Sequence, residues 1–217
     1  LVRRIYAVSR LMPRNARLFA CIGWHKAQGG EVFADNAKYF FLFLGRQPGV
    51  RAVWLAKSRS LAAELRAAGL DSYYEYSLRG LWTALCAGFF VIDAFLQPQA
   101  YALSGKAKII QLLHGKGMKK KGYGEPQWRP QDHIFAPSPF TLEILPASFQ
   151  TGAQTHIAGY SRNDVFFQEI PHAGISVDHG MRQRLETLRA DGKPTILYAP
   201  YVPPRRKNIP APRPALG

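Results

Sequence analysis

Short apolar runs, each stopped by glycine or a polar residue and most followed by a helix-capping residue, recur along this chain and leave few folds open to it. Ala16 to Gly23, Val50 to Lys57, Tyr73 to Tyr76, Phe89 to Asp93, Lys108 to Leu113 and His133 to Pro137 read as strands, and Gln154 to Ala158 leads into Gly159. The longer ones are continuously apolar, the pattern of strands buried on both faces. Between them lie helical segments. Asp35 can cap one in which Tyr39, Phe40, Phe43 and Leu44 form the apolar face, and Gly45 to Gly49 break it. Ser58 opens an Ala/Leu-rich helix ending at Gly69, Ser77 opens another to about Ala87, and Ser138 a third. Strands alternating with helices predict an α/β fold, a parallel sheet with helices on both faces.

The stretch from Ile109 to Tyr123 is where chemistry is expected. Its apolar run stops at His114, and in open α/β sheets ligands collect beyond the carboxyl ends of the strands. Gly115, Gly117, Gly122 and Gly124 let backbone N–H groups approach an anion, while Lys116, Lys119, Lys120 and Lys121 supply positive charge. The expected ligand is a phosphate. His25, His133, His156, His172 and His179 show no recurring metal-ligand spacing, so no metal site is expected. A second constellation is Gly159-Tyr160-Ser161-Arg162-Asn163-Asp164. Arg162 can grip a phosphate with two parallel hydrogen bonds, Asn163 offers donor and acceptor, and Asp164 can cap a following helix or hold Arg162.

The chain's 217 residues and 47% apolar content suit one large domain, or one domain and part of another. Lys and Arg outnumber Asp and Glu by 29 to 14, a formal charge of +15. That balance points to nucleic acid, anionic lipid or a polyanionic substrate. The aromatic residues sit in apolar runs and do not alternate with basic ones as stacking platforms, so no specific nucleic acid is expected. Cys21 and Cys86 each lie in an apolar run and read as reduced core thiols. The longest apolar stretch, Ala84 to Ile92, is far below the roughly 20 residues that span a bilayer. The opening Leu1-Val2-Arg3-Arg4-Ile5-Tyr6 has neither the apolar region nor the cleavage site of a signal peptide.

Four segments follow from these patterns. Residues 1–15 form a basic lead-in, with Arg3, Arg4, Arg10 and Arg14 among Val2, Ile5, Tyr6, Leu11 and Met12, able to lie as a helix on anionic lipid. Residues 16–169 form the α/β domain, and 170–194 a connector with a charged helix. Residues 195–217 begin with the apolar run Thr195 to Ala199 and continue as an irregular Pro/Arg-rich tail.

Four motifs in order resemble those of the CDP-glycerol glycerophosphotransferases of teichoic acid synthesis. They are Asp35-Asn36-Ala37-Lys38-Tyr39; Leu113-His114-Gly115 with Lys119 and Gly122; Gly159 to Asp164; and Ile196-Leu197-Tyr198-Ala199-Pro200. The resemblance runs from about Ala16 to Pro200. It implies a GT-B transferase, two Rossmann-like domains across a cleft, of which this chain is the N-terminal, acceptor-side half followed by the start of a truncated second domain. It implies transfer of glycerol phosphate from CDP-glycerol, with no cofactor, to a hydroxyl of a lipid-linked polyol-phosphate or polysaccharide acceptor, releasing CMP. His114 matches the family's catalytic histidine, Lys119 its following lysine, and Arg162, Asn163 and Asp164 its Arg-Asn-Asp.

Lys116, Gly117 and Ser161 depart from the residues usual at those places, as does Tyr201-Val202-Pro203. A histidine titrates near neutral pH, so His114 is expected as general base, with Lys116, Lys119, Lys120 and Arg162 on the transferring phosphate. A lipid-linked acceptor and a basic lead-in together imply a peripheral protein on the cytoplasmic face of the plasma membrane. A GT-B nucleotide-sugar glycosyltransferase of envelope polysaccharide synthesis, and a non-catalytic module binding a polyanion or anionic lipid, are the alternatives.

Overall fold

The computed structural model describes residues 1–23, 33–94, 97–114, 129–145 and 150–196. Its elements run α1 (Val2–Ser9), β1 (Asn15–Ile22), α2 (Asp35–Leu44), β2 (Arg51–Ala56), α3 (Arg59–Ala67), β3 (Ser72–Tyr74), α4 (Leu78–Cys86), β4 (Ala87–Ile92), α5 (Pro98–Ser104), β5 (Lys108–Gln111), β6 (His133–Ala136), α6 (Pro139–Ile144), β7 (Gln154–Ile157) and α7 (His179–Ala190). A short 3₁₀ helix spans Ser161–Phe166. The seven strands form one sheet in the order β3-β2-β1-β4-β5-β6-β7, and every neighbouring pair is parallel. The chain winds outward from β1 to β3, returns to lay β4 on the other side of β1, and then winds outward again. Such a reversal opens a crevice at the carboxyl ends of the two central strands.

Alternation along each buried strand divides the core in two. Cys21, Trp54, Ala56, Val91 and Ile110 face one layer with Phe41, Leu44, Leu61 and Leu65 of α2 and α3. Leu18, Ala20, Val53, Phe90 and Ile109 face the other with Ala84, Tyr101 and Leu103 of α4 and α5, and with Tyr6 of α1 packed against it. The two cysteines are free and pack in opposite layers. Ser58, Ser77 and Ser138 all cap as expected, accepting from Leu61, Gly80 and Thr141 at 3.2, 3.0 and 3.3 Å.

One local expectation is corrected. The buried face of α2 is Ala37, Phe41 and Leu44, whereas Phe43 is 46% exposed. Spacing by four and three sets the face turned to the sheet, and the other aromatic residues lie beside it. The chain between Asp93 and Lys108, for which the sequence patterns offered no reading, forms α5 with Pro98 in its first turn, where the missing N–H is not needed. Thr195 and Ile196 have no regular structure, and the remainder of the strand expected there lies outside the described residues.

At the amino edge of the sheet, Arg14 ties together the layer made by α1, α4 and α5. Its guanidinium donates to the carbonyls of Ala84 (2.9 Å), Ala87 (3.3 Å), Ser9 (3.0 Å) and Leu103 (2.9 Å). These carbonyls belong to the ends of α4, α1 and α5, whose last C=O groups have no partner within their own helices. Gly105, at φ +45°, lets the chain pass; a Cβ there would meet the Arg14 guanidinium and the Ser9 carbonyl. Tyr6 stacks on Tyr101 with ring centroids 4.4 Å apart, seating α1 on α5.

The chain divides into two compact units, Leu1–Ser176 and Val177–Gly217. In the second, Asp178 caps α7 by accepting from Met181 N at 2.9 Å, and Arg182 pairs with Glu186 at 2.9 Å along its exposed side. Among the described residues no helix is long and apolar enough to cross a membrane. Replacing Arg14 by Met strands several carbonyls at once, each worth roughly 1–3 kcal/mol when buried and unpaired. Urea unfolding should show a loss of at least about 3 kcal/mol for Arg14→Met, against less than about 0.5 kcal/mol for exposed Arg10→Met.

Candidate active site

Four loops at the carboxyl edge of the sheet converge. They follow β1, β4, β5 and β7, and they carry Asp35 and Asn36, Asp93, Leu113 and His114, and Ser161 and Arg162 respectively. Because every strand points the same way, each of these loops emerges on the same edge.

His114 stands two residues past the Leu112 position, at the end of the β5 run, and is exposed. Its Nδ1 lies 2.7 Å from the backbone carbonyl of Asp93. A carbonyl only accepts, so Nδ1 carries the proton, and the neutral ring has its lone pair on Nε2. Leu113, just before it, adopts the left-handed conformation at φ +57°. That conformation costs a non-glycine residue about 1–2 kcal/mol and needs partners on both sides. Leu113 N donates to Gln111 Oε1 at 3.0 Å, and Leu113 O accepts from Asn36 Nδ2 at 2.5 Å. Gln111 is itself buried and donates to Ala94 O at 2.9 Å.

Asp93 is 1% exposed. Its Oδ2 accepts from Ala37 N at 3.1 Å in the first turn of α2, where the helix favours negative charge. Its Oδ1 has no partner among the described residues. Burial lifts its pKa from 3.8 to about 6, with Asp35 adding to the rise and the Ala37 N–H and His114 opposing it. Nothing in the sequence marked Asp93, which ends an apolar run and has no recognisable motif. An acidic residue closing a buried strand, where a capping residue would otherwise be read, is the one signal available.

Arg162 Nη1 donates to Asp35 Oδ1 at 2.6 Å and to the His114 carbonyl at 2.8 Å. Its backbone N–H donates to Asn36 Oδ1 at 3.2 Å, and its guanidinium lies 4.6 Å from the Tyr160 ring centroid. Both side-chain bonds use Nη1, so the Nε–Nη2 edge of the fork takes no part in them. The expected partnership of Asp164 with Arg162 is not what holds the arginine; the ion pair is with Asp35. Asp35, expected as a helix cap, instead sits at φ +62° and accepts from Asn36 N at 2.9 Å. It is drawn from capping because Arg162 supplies a full charge where α2 offers one N–H.

Asp164 is exposed and its carbonyl accepts from Phe167 and Gln168 at 3.0 Å. Asn163 is exposed, with its N–H on Tyr160 O at 2.9 Å. Beside these loops a cavity of about 190 Å³ is lined by Asn36, Phe40, Phe43, Phe135, Ser161 and Asp164, among others. Gly115, Lys116, Lys119 and Lys120 lie outside the described residues. Among the described residues, no group of three or more His, Cys, Asp or Glu could hold a metal ion.

Lys38, from the same motif as Asp35 and Asn36, is almost fully buried. Its Nζ donates to Ala173 O (2.7 Å) and Ile175 O (2.8 Å) and lies 5.1 Å from the Phe33 ring centroid. Burial lowers its pKa to about 8. Lys38 thus fastens the end of the first compact unit to the helix that carries Asp35 and Asn36.

A family model described as CDP-glycerol:poly(glycerophosphate) glycerophosphotransferase matches residues 15–207. Among solved structures, a variant of the wall teichoic acid polymerase TagF after a 15-minute CDPG soak superposes with a TM-score of 0.59 and 16% identity, covering 97% of this chain and 54% of that one. A second structure of that TagF variant gives 0.56 at 16% identity, covering 88% and 48%. A third TagF structure gives 0.56 at 16% identity, covering 86% and 48%. The chain therefore spans about half the length of these structures. A sequence comparison with curated proteins finds no match.

The buried Asp93 carboxyl has a consequence for stability. Its folded pKa is raised, so the native state holds this proton more tightly than the unfolded chain between about pH 4 and 6. The contribution is fully present below pH 4 and is lost as pH rises through about 6. Asp93→Asn keeps the acceptor for Ala37 and removes the charge. It should exceed the wild type in stability by on the order of 2–3 kcal/mol at pH 7.5, with the difference vanishing near pH 4. Urea unfolding across that pH range checks it.

Proposed function

Since this chain belongs to the CDP-glycerol:poly(glycerophosphate) glycerophosphotransferase family, we propose that it forms the acceptor-side half of an enzyme that moves glycerol phosphate from CDP-glycerol to a hydroxyl of a lipid-linked cell-envelope polymer. The observation that carries the reading is the 2.7 Å contact between His114 Nδ1 and the Asp93 carbonyl. It fixes the tautomer with the lone pair on Nε2, the form a general base requires. The acceptor oxygen attacks the phosphorus that bears glycerol, and its proton passes to Nε2. The new O–P bond forms as the bond to the CMP oxygen breaks, and CMP leaves with that electron pair. Charge gathers on the equatorial phosphate oxygens during this exchange. The Nε–Nη2 edge of Arg162 and the lysines at 116, 119 and 120 are the cations assigned to them. Similarity to a TagF structure soaked with CDPG supports the donor assignment.

Catalysis by a base of this kind contributes roughly a hundred- to ten-thousand-fold in rate. In a form of the protein that also carries a donor-binding half, His114→Ala should cut CMP release in the presence of acceptor by that factor. Turnover close to wild type would remove His114 from the mechanism.

The acceptor's lipid places the protein at a membrane surface, on the cytoplasmic face and peripheral. Support comes from α1, which is seated on α5 by Tyr6 yet turns Leu1, Val8 and nearby Leu11 outward beside Arg3, Arg4 and Arg10. Basic residues near an anionic leaflet contribute about 1 kcal/mol each and are screened by salt. The chain should pellet with anionic vesicles at low salt and stay in solution with neutral ones, and Arg3→Glu with Arg4→Glu should abolish pelleting. Equal partitioning to both vesicle types would count against the assignment.

A further inference from the structure

Asn36 is 1% exposed and joins three of the four site loops. Its Nδ2 donates to Leu113 O at 2.5 Å, its Oδ1 accepts from Arg162 N at 3.2 Å, and its main-chain carbonyl accepts from Ser161 Oγ at 2.9 Å. Each end of the amide has a different task. The donor end holds the peptide that links Leu113 to His114, in a left-handed conformation that leucine does not adopt unaided. The acceptor end holds the residue whose guanidinium reaches the His114 carbonyl at 2.8 Å. Only a side chain with one donor and one acceptor on the same planar group meets both demands at this separation.

We propose that Asn36 is the positioning residue of this site, setting the direction of the His114 ring and the height of Arg162 together through its two-ended amide. The role rests on His114 acting as general base. Asn36 touches no reacting atom. It acts by keeping His114 Nδ1 on the Asp93 carbonyl, and so Nε2 turned to the acceptor, while Arg162 stays over the phosphate. A misplacement of about 1 Å at such a site can lower turnover by about a hundredfold.

The two ends can be separated by substitution. Asn36→Ala removes both. Asn36→Asp keeps the acceptor for Arg162 N but, when ionised, sets a carboxylate oxygen against the Leu113 carbonyl; when protonated, it regains a donor there. The enzyme carrying its donor-binding half is assayed with CDP-glycerol and acceptor across pH 5.5 to 8.5, with His114→Ala alongside and thermal melts of every variant. Asn36→Ala should lower kcat by about 10- to 100-fold while KM for CDP-glycerol stays within about threefold. The ratio of Asn36→Asp to wild-type kcat should rise as pH falls, a comparison that cancels the titration of groups common to both proteins.

A flat ratio, or a kcat for Asn36→Ala within about threefold of wild type, overturns the proposal. Loss of folding in both Asn36 variants also overturns it and makes Asn36 a scaffold residue alone. Turnover preserved in His114→Ala overturns the general-base reading and the role of Asn36 with it. Turnover lost in His114→Ala but kept in Asn36→Ala overturns only the latter.

Discussion

The hydrogen bond from Asn36 to the Leu113 carbonyl is the tie on which the geometry of the carboxyl edge depends. β5 ends at Gln111, and the chain must turn sharply to bring His114 over the end of β4. Leucine resists the left-handed turn that achieves this, by about 1–2 kcal/mol. Gln111 and Asn36 offset the resistance by satisfying the N–H and C=O of Leu113 from two sides, with buried amides that have few alternative partners. Once Leu113 is held, the Asp93 carbonyl meets the imidazole and Arg162 meets the His114 carbonyl. Loosening this one bond would free the histidine, the arginine and the start of α2 together.

The two edges of the sheet use arginine in opposite ways. At the amino edge Arg14 spends its guanidinium on main-chain carbonyls of three helices, and burial lowers its pKa. That is a structural clasp with nothing left for a ligand to approach. At the carboxyl edge Arg162 is anchored through one nitrogen by Asp35 and His114 and keeps the other edge of its fork out of those bonds. The difference follows from what each edge exposes. Helix ends with unpaired carbonyls crowd the first, while the second is lined by loops whose N–H groups, carboxylates and cations can be turned toward a phosphate.

Much of the fold was legible in the sequence because burial on both faces leaves a plain mark: continuous apolar runs such as Val50 to Lys57, with Ser58, Ser77 and Ser138 announcing the helices. Where it failed, the mark was ambiguous. The helix Asp35–Leu44 is aromatic nearly all round, so the sequence could not say that Phe41 rather than Phe43 turns inward. Pro98–Ser104 is short and lies between two strands with little periodicity. In the site, His114 and Arg162 were visible as chemistry-bearing residues beside glycine. For Asp164 the sequence left two roles open, capping a following helix or holding Arg162; the carboxylate that the fold brings to Arg162 is Asp35, 127 positions away along the chain. Asp93 had no pattern to announce it.

The sequence alone determined the parallel α/β architecture, the family, and the two loops that carry a histidine and an arginine, because those depend on local pattern: apolar runs, capping residues and motif order. Only the tertiary structure decided which residues hold those two side chains, since that is settled by which loops share an edge of the sheet. Folding brought the chain that follows β1 against the chain that follows β4, β5 and β7. That contact converts Asn36 from a polar residue at a helix start into the buried amide between His114 and Arg162, and gives His114 its tautomer through the Asp93 carbonyl.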